Sequence, residues 1–196
     1  MKRMMRTTNT SSRTLIKAVV CLGLIPALIP GGDAGAAVIF TDFQTLNTTS
    51  NVATGDLGAA GVTLTGTDLA SGVLDGTSTF FNQAFFTPQL AMSDFLQISF
   101  SQSQTATFSI AFDTPITDPV IHLQSLASEL TFPGEVITKL SGQSTFVVAG
   151  DMVTGTIDDG SFPTDANGTI QLSGTFSAIS FWGDILPGAS VDGVRI

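Results

Sequence analysis

The stretch that decides the fold alternates small and apolar residues over six positions and reads Thr107-Phe108-Ser109-Ile110-Ala111-Phe112. In an extended chain Phe108, Ile110 and Phe112 point to one face, and the residues between them point to the other. A period of two with one apolar face is the pattern of a half-buried antiparallel strand. This segment therefore predicts a sheet with one face in a core and the other in water.

Short runs rich in β-formers recur on both sides of this stretch, at residues 38–40, 62–65, 95–100, 120–123, 144–148, 169–172 and 176–181. Turn-forming pairs such as Asp75-Gly76 and Asp192-Gly193 separate them. Surface helix formers are scarce, and residues 125–135 are the one stretch that suits a helical turn. We therefore expect about ten short strands in an all-β, antiparallel two-sheet sandwich of jelly-roll type.

The first 36 residues have the order of regions found in a secretory signal peptide. Five of the seven basic residues lie within the first 17 positions, an apolar run covers residues 18–30, and small residues follow at 34–37. The run is too short for a stable membrane span. Cys21 lies inside it and suggests lipidation, but apolar residues continue past it and a better cleavage site follows. We predict a signal peptide at 1–36 and one β-sandwich domain at 37–196, secreted or held at the cell surface.

The predicted exported part is strongly acidic. Only Lys139 and Arg195 are cationic, against 15 carboxylates, so the formal charge is near −13. Such a surface repels phosphate backbones, which argues against nucleic acid as a partner, and it disfavours anionic lipid surfaces. This part also lacks cysteine, which excludes disulfides and thiolate sites. It has no apolar run long enough for a membrane span.

Two strings of residues in the second half carry a family resemblance. The first covers residues 107–123 and includes Asp113-Thr114-Pro115-Ile116-Thr117-Asp118-Pro119; the second covers residues 168–181 and includes Gly168-Thr169-Ile170-Gln171-Leu172. In this order they resemble the lectin-like non-repetitive domain of CshA-type bacterial surface adhesins. They are also similar to small exported β-sandwich proteins that end in a Pro-Glu-Pro sorting tail. The resemblance implies a jelly-roll fold and a role in adhesion or glycan contact, and no binding residue is carried over from it.

The first string contains a proline-rich link between two strands. Pro115 and Pro119 lack N–H donors and so belong at strand ends or in a connection, and the residue before each is pushed toward extended geometry. We predict a stiff turn between two core strands. The only histidine of the exported part, His122, follows in the next strand. It either has a structural role, pointing outward or meeting a hydrogen-bond partner, or it takes part in catalysis or metal ligation.

A cluster of acids near residue 160 suggests calcium. Asp158, Asp159, Asp165 and Asn167 are oxygen ligands of the kind that calcium prefers, although their spacing is not that of an EF-hand. Extracellular modules bind calcium at roughly 10⁻⁴–10⁻³ M, so even weak sites fill outside the cell. The alternative is that these residues only form turns, which Asp and Asn favour. Calcium is the one cofactor that the sequence suggests.

Aromatic rings that could contact a sugar are few. The chain has no tyrosine and a single tryptophan, Trp182, with Asp184 close behind it. We predict Trp182 and Asp184 as ligand-binding residues; packing at a strand end is the alternative for Trp182. The adjacent rings of Phe80-Phe81 and Phe85-Phe86 either expose one ring of each pair or lie between layers.

These observations favour a binding protein over an enzyme. With one histidine and no cysteine, nucleophile–base systems are few, and Glu129 and Glu135 are the only glutamates for an acid pair. We expect an exported, non-catalytic module for adhesion or for binding a glycan or surface protein. Two alternatives remain: a structural component of a surface layer or extracellular matrix with no small ligand, and an acid-pair glycoside hydrolase.

Overall fold

A computed structural model describes residues 39–101, 105–157, 165–189 and 191–196. Within these residues the regular elements are fourteen β-strands: β1 (Thr41–Asn47), β2 (Val52–Leu57), β3 (Ala60–Gly66), β4 (Leu69–Ser78), β5 (Ser93–Ser101), β6 (Ala106–Thr117), β7 (Val120–Leu126), β8 (Ser128–Thr131), β9 (Ile137–Gly142), β10 (Val147–Ala149), β11 (Met152–Thr154), β12 (Ala166–Leu172), β13 (Thr175–Ile185) and β14 (Val191–Arg195). The predicted signal peptide at 1–36 lies outside the described residues.

The strands form two antiparallel sheets, which confirms the predicted two-sheet sandwich. One sheet has eight strands in the order β1-β2-β3-β6-β13-β8-β11-β10, and the other has six in the order β4-β5-β14-β7-β12-β9. All strands belong to one compact unit, Gly35–Ile196. The expected number of about ten strands is too low, because the predicted runs leave out β2, β4, β8, β9, β11 and β14, of which β8 and β11 have only four and three residues. Runs that short carry too few residues to show a period of two.

Three local predictions were wrong. Residues 125–135 hold no helical turn; they contain the end of β7 and all of β8, where Ser128 and Leu130 are buried and Glu129 and Thr131 are partly exposed. The strand expected at 38–40 begins instead at Thr41. The run 144–148 starts as a turn, because the Phe146 amide donates to the Gln143 carbonyl oxygen at 3.2 Å, so only its last two residues enter β10.

Phenylalanine rings fill the space between the sheets. Phe108, Phe181 and Phe132 form a stacked row with ring centroids 5.3 Å and 5.0 Å apart, and Phe100 meets Phe108 edge-on at 5.7 Å. All four side chains are buried. A fully buried Phe contributes about 1.5–3 kcal/mol relative to an exposed one, so this row holds the two sheets face to face. It packs directly beneath the strands that carry the candidate site.

The proline-rich link crosses from one sheet to the other. β6 lies in the eight-stranded sheet and β7 in the six-stranded sheet, with Asp118 and Pro119 between them. Asp118 has a φ of 51° and bonds Gly174 twice: its amide donates to the Gly174 carbonyl at 2.7 Å, and its carboxylate accepts from the Gly174 amide at 2.8 Å. Gly174 lies in the β12–β13 connection, which also crosses between the sheets. A turn lies between the two core strands as predicted, but the extended geometry expected for Asp118 was wrong, because its φ is positive. The two hydrogen bonds to Gly174 tie the β6–β7 and β12–β13 crossings together.

Candidate functional site

The two sheets differ in what covers their outer faces. Residues 79–92, the connection between β4 and β5, lie on the outer face of the six-stranded sheet and are called the cap. Phe81, Phe86 and Leu90 of the cap form a second apolar cluster with Phe95 of β5, separate from the main core. In each adjacent pair of phenylalanines, one ring is buried and the other is partly buried.

No described segment packs in this way on the eight-stranded sheet, where outward residues such as Thr107, Ala111 and Ser180 are exposed. This surface, made of the outward side chains of β2, β3, β6, β13 and β8, is called the open face. A surface of this kind is available to a ligand, whereas the cap occupies the equivalent surface of the other sheet.

Both residues predicted to bind a ligand lie on the open face. In β13, Phe181 and Gly183 point inward and are buried, and the alternation turns Trp182 and Asp184 outward. Trp182 is 37% exposed, which rules out burial in the core as its role. Two positions along a strand separate the Cα atoms by about 7 Å, so one sugar-sized ligand can touch both side chains.

The strand register adds a second carboxylate to this group. Asp184 lies directly opposite Glu129 of β8, while Trp182 lies opposite Thr131 on one side and Thr107 on the other. Directly opposed residues have Cβ atoms about 5 Å apart. Trp182, Asp184 and Glu129 are called the tryptophan site. It combines a ring for the apolar face of a sugar with two carboxylates that accept hydrogen bonds from hydroxyl or amino groups.

One hydrogen bond orients the Asp184 carboxylate. The hydroxyl of Thr105, which precedes β6, donates to Asp184 Oδ1 at 2.6 Å. This contact joins the ends of two neighbouring strands of the open face. A carboxylate held in this way loses less rotamer freedom when a ligand binds.

A shallow groove with a volume of about 500 Å³ lies farther along the open face, and its polar lining residues are Gln44, Thr54, Asp56, Thr63 and Asp113. Hydrogen bonds fix both of its carboxylates: Gln44 Nε2 donates to Asp56 at 2.6 Å, and the Gly61 amide donates to Asp113 at 2.8 Å. The groove reaches β6 at Ala111, and Ala111 pairs with Ala178 of the neighbouring strand β13. Along β13, Ala178 lies four positions before Trp182. Four positions span about 13 Å along a strand, so an extended ligand can contact the groove and the tryptophan site together.

The open face is negatively charged. Glu129, Asp184, Asp56 and Asp113 lie on it, whereas the two cations that follow residue 38 are on the other sheet. Lys139 on β9 donates to two backbone carbonyl oxygens at 2.8 Å and 2.6 Å. The Arg195 guanidinium on β14 lies 4.2 Å from the ring centroid of Phe80 in the cap. Neither cation neutralises the carboxylates of the open face.

The predicted calcium ligands are only partly described. Asp158 and Asp159 lie outside the described residues. Asp165 accepts a hydrogen bond from the Ser125 hydroxyl at 2.6 Å. The buried Asn167 accepts from the Ser125 amide at 3.0 Å and donates to Gln143 Oε1 at 2.8 Å. These bonds stabilise the left-handed backbone conformation of Ser125, whose φ is 63°, and they give Asn167 a structural role.

A search of the described residues for three or more His, Asp or Glu side chains that could hold a metal ion finds none. Calcium therefore stays a prediction that rests on the sequence.

His122 joins the six-stranded sheet to the cap. Its Nδ1 lies 2.8 Å from the Thr169 hydroxyl, which also accepts from the Thr87 amide of the cap at 3.1 Å. Its ring packs against Phe81 and Phe86 with both centroid distances at 5.3 Å. Burial lowers the pKa of His122 from 6.5 to about 4, although its hydrogen bond to the Pro88 backbone acts in the opposite direction. The structural role predicted for His122 agrees with these contacts.

Sequence reasoning missed Glu129 and the two groove acids as members of the open face. Glu129 was paired with Glu135 as a candidate acid pair, but the register places it opposite Asp184, and Glu135 lies in the connection after β8. The local alternation of Ser128 to Thr131 indicates that Glu129 points outward. No local pattern indicates which strand lies beside it, because β8 and β13 are far apart in sequence.

Comparisons with family models, with curated proteins and with solved structures find no match. Within the described ranges, no helix is long and apolar enough to cross a membrane.

Proposed function

We propose that this protein is an exported, non-catalytic β-sandwich module that binds a glycan on its open face and serves attachment to a surface or matrix. The observation that carries the proposal is the half-exposed Trp182, set beside Asp184 and Glu129 on a surface otherwise lined by small hydroxyl and carboxylate side chains. An aromatic ring with nearby polar groups suits a sugar, which has apolar faces and a rim of hydroxyl groups. The proposed export rests on the basic, apolar and small-residue regions of residues 1–36.

The shape of the open face favours binding over hydrolysis. Glycoside hydrolysis uses two carboxylates on either side of the scissile bond, with one kept protonated by its surroundings. Glu129 and Asp184 lie side by side on the outer surface of the sheet, with Asp184 exposed. An open surface does not fix a scissile bond between two carboxylates as a cleft does, so this pair is suited to holding a glycan.

A glycan array probed with the purified protein, in buffer with calcium, tests the proposal. We expect reproducible binding to a defined set of glycans and its loss in Trp182→Ala. Met92→Ala is the matched control, because Met92 is also an exposed large side chain but belongs to the cap. A folded protein that binds no glycan, or binds equally well after Trp182→Ala, contradicts the proposal. Release of reducing ends that is lost in Glu129→Gln would instead support a hydrolase.

A structural surface-layer or matrix component is the second candidate, and one observation favours it. Among the described strands β1 pairs only with β2; its other edge has no strand partner, although the Phe43 amide donates to Asp94, and the exposed Ile39 and Phe40 lead into it. Free strand edges pair with other chains, above all where apolar residues flank them. Sedimentation velocity over a wide concentration range tests this: growing assemblies that Phe40→Glu abolishes would support it, and a constant monomer would contradict it.

A further inference from the structure

We propose that the glycan bound by the open face is cationic, that is, an amino sugar polymer whose free amines are protonated, such as oligoglucosamine. This inference rests on the proposed function and adds the chemical class of the ligand. Its basis is the charge of the open face together with the register of the tryptophan site.

The charge of the open face selects against anionic glycans. Four carboxylates point from this surface, from Asp56 and Asp113 at the groove to Asp184 and Glu129 at the tryptophan site. Both cations of the exported part lie on the six-stranded sheet and contact other groups there. A uronic acid or sulfated glycan would bring like charges together with no compensating cation, whereas ammonium groups are attracted along the whole surface.

The tryptophan site has the geometry to hold an ammonium group. Directly opposed like charges, such as Asp184 and Glu129, destabilise a sheet, and a cation between them would remove this repulsion. Trp182 lies two positions from Asp184 on the same face and diagonal to Glu129. An ammonium group over an indole ring is attracted by the negative face of the ring quadrupole. The same ligand can place the apolar face of its sugar ring on the indole.

The composition of the open face favours a glycan over a basic protein. Protein interfaces have a core of several apolar or aromatic anchors. Of the outward side chains on the five strands of the open face, Trp182 is the one large aromatic side chain, among Ser, Thr, Asp, Glu and Ala residues; Met152 and Val147 lie beyond it on β11 and β10. Hydroxyl and carboxylate groups match the dense hydroxyl and amino groups of an amino sugar, and they give a protein little apolar area to bury.

The fluorescence of Trp182 can be used to measure binding at the tryptophan site. Trp182 is the only tryptophan of the chain, which has no tyrosine, so the intrinsic fluorescence reports on this position alone. The purified protein is titrated with glucosamine hexamer, N-acetylglucosamine hexamer and galacturonic acid hexamer at about pH 6, where the free amines are protonated. We expect the glucosamine hexamer to bind at least about tenfold more tightly than its N-acetylated form. Added salt should weaken the binding of glucosamine hexamer but not that of N-acetylglucosamine hexamer.

Charge-neutral variants separate the roles of charge and ring. The double variant Glu129→Gln/Asp184→Asn should lower the affinity for glucosamine hexamer by about tenfold or more and change that for the N-acetylated hexamer by less than about twofold. Glu135→Gln/Asp68→Asn removes the same two charges outside the open face and should change neither affinity. Equal or tighter binding of the N-acetylated hexamer, or tighter binding of a lysine oligomer than of glucosamine hexamer, would overturn the inference.

If none of the three hexamers binds, the inference also fails, and the array decides separately whether the proposed glycan binding stands.

Discussion

Replacing His122 with glutamine should remove most of the pH dependence of folding above pH 5. His122 is held between the six-stranded sheet and the cap by Thr169, the Pro88 backbone and two phenylalanine rings. This environment favours the neutral ring. Glutamine keeps a donor and an acceptor at the position but does not titrate in this range.

The magnitude follows from the two pKa values of His122, 6.5 for the free side chain and about 4 in the folded protein. Because the folded-state pKa is the lower one, the unfolded chain binds more protons between these values, and stability falls as the pH falls. The contribution is fully present above about pH 6.5, and about 3 kcal/mol is lost by the time the pH is below about 4. Between about pH 8 and pH 5 the loss is about 2 kcal/mol.

The assay is urea unfolding of both proteins at several pH values between about 5 and 8. The difference in unfolding free energy between wild type and His122→Gln isolates the histidine, because other groups titrate in both proteins. One of them is Asp94, whose pKa burial raises; its contribution to stability is present at low pH and is lost as the pH rises through its folded-state pKa. A difference that stays constant over this range would refute the reasoning, and so would a wild type that gains stability relative to the variant on acidification.

Three further predictions concern the core, a buried carboxylate and calcium. Gly183→Ala places a Cβ 2.3 Å from a ring carbon of Phe100 and should lower the unfolding free energy by about 1–3 kcal/mol; an unchanged urea midpoint would contradict this. Asp94→Ala removes an acceptor that two backbone amides reach at 2.6 Å and should lower the melting temperature through a loss of about 2 kcal/mol or more, with no comparable shift in the exposed control Asp68→Ala. Calcium at about 1 mM should raise the melting temperature of the wild type but not that of Asp158→Asn/Asp159→Asn. An equal rise in both proteins would show that Asp158 and Asp159 do not bind the ion.

The fold was predictable from local alternation where strands are long. Residues 107–112 and 176–181 show a clear period of two, and they became β6 and β13, the central pair of the eight-stranded sheet, with Phe108 and Phe181 stacked inside. The predicted runs leave out six strands: β2, β4, β8, β9, β11 and β14. The longest, β4, has ten residues but no regular alternation of buried and exposed positions, and the shortest, β8 and β11, have only four and three residues. Their strand geometry comes from pairing with neighbours distant in sequence, as when β11 pairs with β8, and a local pattern does not encode such pairing.

The candidate site was predictable only in part. Trp182 is conspicuous in the sequence because it is the single tryptophan, and Asp184 because it lies close behind it. Glu129 joins them through the register of β8 against β13, and Asp56 and Asp113 form one groove because β2, β3 and β6 lie side by side. Each of these relations depends on tertiary pairing. The position of the cap was equally unpredictable, since nothing near His122 in the sequence indicates that residues 79–92 cover it.

Chemical-shift mapping of the ¹⁵N-labelled protein, titrated with the glycan that binds most tightly on the array, tests the central claim most directly. The account predicts that the shifted amides cluster on β2, β3, β6, β8 and β13, with the indole N–H of Trp182 among the largest changes. Shifts confined to the cap or to the six-stranded sheet would contradict the assignment of the open face as the binding surface.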